Sequence, residues 1–463
     1  MSKTYRPWNP DQPWLLPPSP KDWLPEGDLV YFVMDVVRQL DISAITDYYE
    51  RSDRGFPPYH PRMMAMLLLY SYCNGVFSSR RIQRRCERDA AYRVIVGADV
   101  PDFRTISDFR KIHLKGLSGL FLQVLGLCRE AGLVKLGHVS LDGTKIKPNA
   151  SRHKAMSYGW MKEEEQRLQK EIDALLGQAQ QVDAQEDQKY GSRRGDELPE
   201  ELARRQSRLK KIQQAKAALE ARAKAKAQEE KARHEPPQSS QGEPPRQSQG
   251  NSPPVVPDDK AQYNFTDPTT SIMKANNKGW DQCGNAQAVV DGENQIIVAA
   301  DVTNQANDKR QVQPMMAQAV ENVTKTGPEG KIVAASMDSG YFSEENVQWL
   351  ENQEIDGYVA TERIKHGERV PDAPRGRPPT DLTAKEKMAR KPRTKKGRTI
   401  YARRKRNVPP GTIVEPVFGQ IKRCRGFMQF LLRGLDKMRG EWSLVCLTHN
   451  LLKLFGVRIA AAG

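Results

Sequence analysis

Long apolar runs are missing from this chain of 463 residues. No stretch approaches the ~20 consecutive apolar side chains that a bilayer span needs. The opening MSKTYRPWNPDQPW lacks the apolar segment of a secretory signal, so neither a membrane span nor export is expected. Cysteine is scarce too: the six residues at 73, 86, 128, 283, 424 and 446 contain no C-x-x-C pair. That argues against a disulfide framework or a zinc site and for reduced thiols in a cytosolic protein. The seven histidines show no metal-ligand spacing, and there is no G-x-S-x-G elbow or Cys/His pairing, which disfavours a protein nucleophile. Apolar residues make up only 38% and mean hydropathy is −0.71, so part of the chain should be solvated helix or linker.

What the chain has is positive charge: 73 Lys and Arg against 57 Asp and Glu, a net +16. Much of the excess is local, since residues 362–406 hold 17 cations and 5 acids, a net +12. A blocky cationic segment suits a phosphate-rich partner or an anionic membrane surface, the alternative being a solvated tail.

The fold class expected is α/β, an order of strands and helices that makes a mixed sheet, with helical additions. Residues 28–135 read as an all-α N-terminal domain. It includes a cationic helix whose Arg81, Arg84 and Arg85 suit a DNA contact as readily as a plain solvated face. Residues 136–156 hold a short apolar strand, HVSLDG, ending in Asp142. In 157–235, Leu168, Ile172, Leu175 and later Leu198, Leu202, Leu209, Ile212 and Leu219 recur at spacings of mostly three, four and seven. Gly191, Gly195 and Pro199 interrupt them, so the spacing predicts an antiparallel helical hairpin or coiled coil. Residues 236–260 read as a disordered linker. The segment 261–361 reads as a hairpin about Asp291-Gly292, then helix, strand, helix and strand. A basic flexible linker is expected over 362–400 and a helical C-terminal region over 401–457.

Phosphodiester chemistry commonly uses divalent ions held by carboxylates on rigid elements. Few of the acids stand in such a setting. Asp142 and Asp338 follow apolar strands (HVSLDG, VAASMDSGY), and Glu415 begins a helix before Pro416. Each has a plainer alternative: the aspartates as turn residues, Glu415 as a complement to the helix dipole. Their separations of 196 and 77 residues do not establish that they converge.

The stretches SLDGTKIKPNAS, AQAVVDGENQIIVAADVTNQANDKRQ, MDSGYFSEEN and VEPVFGQIKRCRGFMQFLLRGLDKMRGEWSLVCLTHNLLKL resemble the DDE transposases of bacterial insertion sequences. Within the IS4/IS5-like superfamily they are most similar to the IS1182 family. The resemblance implies a ribonuclease H-like catalytic core interrupted by the hairpin, and two Mg²⁺ ions, with Mn²⁺ able to substitute. It also implies strand cleavage and transfer at terminal inverted repeats. The implied partners are double-stranded DNA, both ends and target, and further copies of the chain in a homodimer or higher oligomer. The setting would be the bacterial cytoplasm, at the nucleoid. Position by position, Asp142, Asp338 and Glu415 match the three metal-binding acids. Glu415 and Lys422 keep the E-x6-K spacing of the family signature, and Tyr401 and Arg404 keep its Y-x2-R. Ten residues (KRNVPPGTIV) part Arg404 from Glu415 where the family has three. Arg423, Arg425, Arg433 and Arg439 read as generic phosphate contacts or solvated charges. Lys422 would lie about two helical turns from Glu415, on its face, gripping a phosphate. His449, Trp442, Leu444 and Leu447 read as core. Trp160 and Trp280 read as core in preference to base-stacking platforms. Two other functions remain open: a catalytically inactive DNA-binding regulator derived from a transposase, and a ribonuclease H-like nuclease without end specificity.

Overall fold

The structure is a computed structural model. It describes residues 19, 22–51, 57–150, 154–190, 200–234, 256–274, 279–327, 330–362, 373, 379, 381–405 and 413–462. The chain begins with helices α1 (Leu29–Gln39), α2 (Ser43–Glu50), α3 (Pro61–Cys73), α4 (Ser79–Arg88), α5 (Ala90–Val96), α6 (Phe103–Ile112) and α7 (Leu114–Glu130). Strands β1 (Val139–Ile146) and β2 (Ala155–Ser157) follow. Then come α8 (Tyr158–Tyr190), α9 (Glu200–His234), β3 (Gln262–Asn264), β4 (Ser271–Lys274), β5 (Trp280–Asp291) and β6 (Ile297–Thr303). After these are α10 (Val312–Lys325), β7 (Ala334–Met337), α11 (Glu344–Asn352) and β8 (Asp356–Val359). The last are α12 (Ala384–Arg390), α13 (Lys395–Lys405), α14 (Val414–Gly419) and α15 (Leu435–Ala462). The chain divides into one unit of residues 1–149 with 283–463 and a second of residues 150–282.

Within the first unit the strands lie in the order β6-β5-β1-β7-β8. The β6-β5 and β5-β1 pairs are antiparallel, the β1-β7 and β7-β8 pairs parallel. This is the mixed α/β sheet that the order of elements predicts. The turn between β5 and β6 is built on Asp291: its Oδ1 accepts the backbone N–H groups of Glu293 and Asn294, and its Oδ2 those of Lys135 and Leu136. Asp142 does not close its strand. β1 runs four residues further, and the Asp142-Gly143 pair lies inside it against Ala288 and Gln287.

The N-terminal helices and the sheet share one hydrophobic core. Helix α3 is apolar nearly all round, and Met64 through Cys73 are all buried. It is covered by α1 and by α15, which also packs on α7 and β6. Helix α15 is apolar and long enough to cross a membrane. Its apolar residues instead fill this core, with Trp442, Leu444, Val445, Cys446, Leu447 and Leu451 at 0% exposure. The segment expected as a basic flexible linker carries α12 and α13, and α12 opens with a capping box of Thr383 and Glu386.

In the second unit α8 and α9 run antiparallel. Tyr158 pairs with Glu220, Glu165 with Lys216 and Glu171 with Arg205, so one index falls as the other rises. Leu168 and Ile172 meet Leu209, Ile212 and Leu219 in a separate small core. The expected breaks at Gly191, Gly195 and Pro199, and nearly all of the expected linker 236–260, lie outside the described residues.

Candidate active site

In the parallel β1-β7 pair Val139 faces Ala335 and Ser140 faces Ser336. Two residues further, that register sets Asp142 level with Asp338. Side chains alternate along a strand, so Ser140, Asp142 and Thr144 project from one face of β1. Asp338 follows the last residue of β7 and caps a 3₁₀ turn, its Oδ1 accepting Gly340 N–H at 2.8 Å. Both aspartates are partly exposed. The backbones of two acids that the sequence put 196 residues apart are therefore level with each other at the centre of the sheet.

Helix α14 is laid along the same strand. Ile413, at its start, reaches Gly292, whose N–H donates to His138 O just before β1. At its other end Lys422 donates from Nζ to Thr144 Oγ1 and, at 2.9 Å, to Lys145 O. Glu415 sits in the first turn of α14, exposed, where an acid also complements the helix dipole. Pro416 takes the third helical position. Among the described residues no three His, Cys, Asp or Glu side chains form a group able to hold a metal ion, so Glu415 is not gathered into one cluster with the two aspartates.

From Gln420 to Cys424 the helix winds as a π turn, and Lys422, within it, carries its ammonium onto β1. Burial there pushes the ammonium's pKa below the usual lysine range. Arg425 is corrected outright. Its guanidinium is buried, donating to Thr448 Oγ1 at 2.8 Å and Val445 O at 3.1 Å, so it braces α15 and is not available to a phosphate. Gly75, at φ +68, makes room for it, since a Cβ there would run into the Arg425 carbonyl oxygen. Arg423 remains exposed. Tyr401 and Arg404 fall in α13, but their side chains lie outside the described residues, as do residues 406–412 of the ten-residue gap.

On the opposite face of β1 a polar cluster centres on Asp308, which sequence reasoning passed over. Its Oδ1 accepts from Asn285 Nδ2 (2.6 Å), Gln287 Nε2 (3.0 Å) and Lys145 Nζ (3.3 Å). Tyr341, the last residue of the 3₁₀ turn that Asp338 caps, donates its hydroxyl to Gln287 Oε1. Asn346 ties the Lys309 and Tyr341 carbonyls together. The cluster fixes the turn that carries Asp338. Its only sequence signal is an acid in an Asn/Gln-rich loop after a strand, a pattern shared with ordinary turns.

On α4, Arg81, Arg84 and Arg85 are exposed while Ile82 and Cys86 are buried, and Arg85 pairs with Asp89 at 3.2 Å. His449 is core, as expected: its Nε2 meets Gln295 O at 3.0 Å, and burial lowers its pKa to about 3. Trp442 is buried, with Nε1 on Gln287 O. Trp160 and Trp280, expected as core, are exposed at 41% and 65%.

Residues 256–451 match a family model described as Transposase DDE domain, and residues 18–112 one described as Transposase domain (DUF772). Asp338, Glu415 and Lys422 fall inside the first match, while Asp142 lies between the two. No curated protein and no solved structure matches the chain.

Proposed function

The chain belongs to the DDE transposases, and from that premise we propose that it cuts DNA at the terminal inverted repeats of an insertion sequence and joins the freed 3′-hydroxyl to target DNA. The observation that carries the reading is the level placement of Asp142 and Asp338 on neighbouring parallel strands, with the Glu415 helix laid along β1. The β6-β5-β1-β7-β8 order, antiparallel then parallel, supports a ribonuclease H-like core. The motifs around Asp142, Asp338 and Glu415 support the IS1182 family.

The donor set suits hard divalent cations, since all three candidates are carboxylates, and Asp142 on β1 is level with Asp338 at the end of β7. Asp142, Asp338 and Glu415 would hold Mg²⁺, or Mn²⁺ in its place. Bound in pairs, such ions lower the pKa of water and stabilise attacking and leaving oxygens. The chain's own part is placement. β1 and β7 fix the aspartates, the Asp308 cluster holds the turn behind Asp338, and α14 brings Glu415 to the same strand. Lys422 and Arg423, with Tyr401 and Arg404, would bind phosphates beside the cut. Arg81, Arg84 and Arg85 would contact DNA away from it. The protein would act in the bacterial cytoplasm at the nucleoid, two or more copies pairing the element's ends.

Asp142→Asn should reduce Mg²⁺-dependent nicking of a duplex carrying the element's end to background, with binding of that duplex retained. Nicking at the parent rate by this variant would defeat the assignment. A parent protein that binds ends but never nicks them would favour the inactive regulator instead.

A further inference from the structure

The ammonium of Lys422 has an unusual set of partners. It is half-buried and accepted by two neutral oxygens, Thr144 Oγ1 and Lys145 O, and among the described residues no carboxylate lies within ion-pair distance of it. A cation drawn out of water without a counter-charge is costly, and proteins keep one chiefly where an anion completes it. An ammonium carries three donors and two are used, so one N–H is left for such an anion. The site lies two residues beyond Asp142 on the same face of β1, roughly 7 Å along the strand at the usual rise. Thr144 itself is 5% exposed, so its hydroxyl serves the interior and not solvent.

We propose that Thr144 is a positioning residue: with the Lys145 carbonyl it fixes the Lys422 ammonium so that its remaining N–H meets a phosphate oxygen of the DNA strand lying across Asp142. This rests on the transposase reading and adds to it the reason the lysine is effective. A flexible lysine would lose rotamer freedom on each binding event, whereas one already tied to β1 has lost it on folding. Lys422 itself lies within the π turn that follows α14.

The experiment measures binding of a duplex carrying the element's end in Ca²⁺, against salt, for the parent, Lys422→Gln, Thr144→Val and Thr144→Ser. Acylation of the Lys422 amine in the free protein is followed by mass spectrometry. Lys422→Gln should weaken binding about tenfold and lower the slope of log K against log salt by about 0.9, the loss of one phosphate contact. Thr144→Val, nearly isosteric but without the acceptor, should weaken binding part of the way and speed acylation of Lys422. Thr144→Ser should restore both. Equal slopes and affinities in Lys422→Gln and the parent would overturn the proposal. So would unchanged acylation and binding in Thr144→Val, or a Thr144→Ser protein no better than Thr144→Val. Asp142→Asn run alongside separates the two readings: if it still nicks DNA the catalytic assignment fails, whatever the salt slopes show for Lys422.

Discussion

Gly143 shows how much a single missing Cβ can decide. A Cβ there would collide with Gln287 Nε2 and come within 3.0 Å of Asn285 Oδ1. Only glycine lets the Gln287 side chain lie flat on β1, where it joins Tyr341, Asn285 and Asp308. Gly143→Ala should therefore cost about 1–3 kcal/mol, as overpacking does, lowering the calorimetric Tm by several degrees. It should also cut nicking more than binding, because the network behind Asp338 is displaced. A Tm equal to the parent's would show that Gln287 yields freely. At this scale the sequence was legible in part. Asp142 and Asp338 stood out because acids seldom follow apolar runs by chance. Residue type states a charge but not its direction, so Arg425 inside the core and Lys422 turned onto Thr144 could not be read. The π turn that holds Lys422 leaves no mark in hydrophobic spacing.

The basic segment shows the same limit among elements. Its composition suggested a flexible linker, yet α12 and α13 are pinned beside β8 by one acid. Asp356 Oδ1 takes Lys391 Nζ at 2.6 Å, and its Oδ2 takes Lys396 Nζ at 2.9 Å and Tyr358 OH at 2.8 Å. Burial alone would raise the Asp356 pKa, but the hydrogen bonds from Lys391, Lys396 and Tyr358 outweigh it and lower the value to about 2. An acid whose folded pKa lies below its unfolded value, 3.8 here, stabilises the fold above that value. The contribution is lost as pH falls from about 4 to about 2. Asp356→Asn should lower Tm at pH 7 and flatten its dependence between about pH 4 and about pH 2; a parallel pair of Tm curves would count against the pin. Periodicity did identify α8 and α9, because a two-helix seam repeats every three or four residues and needs nothing from elsewhere in the chain. That seam is filled from within the pair, so a second copy is not required to bury it.

For the molecule as a whole, the break between the two units falls at a permissive place. Ile146 and Gly284 are partners on neighbouring antiparallel strands, so the chain leaves and re-enters the first unit side by side. Replacing residues 151–281 with a short Gly/Ser loop should preserve the first unit's thermal transition within a few degrees, since a hairpin connection suffices there. Loss of a cooperative transition in that shortened protein would show that residues 151–281 carry part of its stability. What the sequence did not disclose was that the N-terminal helices are no separate body. The face that each helix buries was readable, but the partner it is buried against was not. Tyr72 of α3 and Glu441 of α15, which share a hydrogen bond, stand 369 residues apart in the chain.

That last contact has a consequence for synthesis. The ribosome makes α3 early and α15 at the very end of the described chain, yet α3 is covered by α15. Until residues 435–462 emerge, a largely apolar helix waits with only the α1 part of its cover, a state that invites chaperones and proteases. A product ending before that point would keep both aspartates and still have no finished core to hold them. Helix α15 thus decides whether the core beneath both aspartates can close.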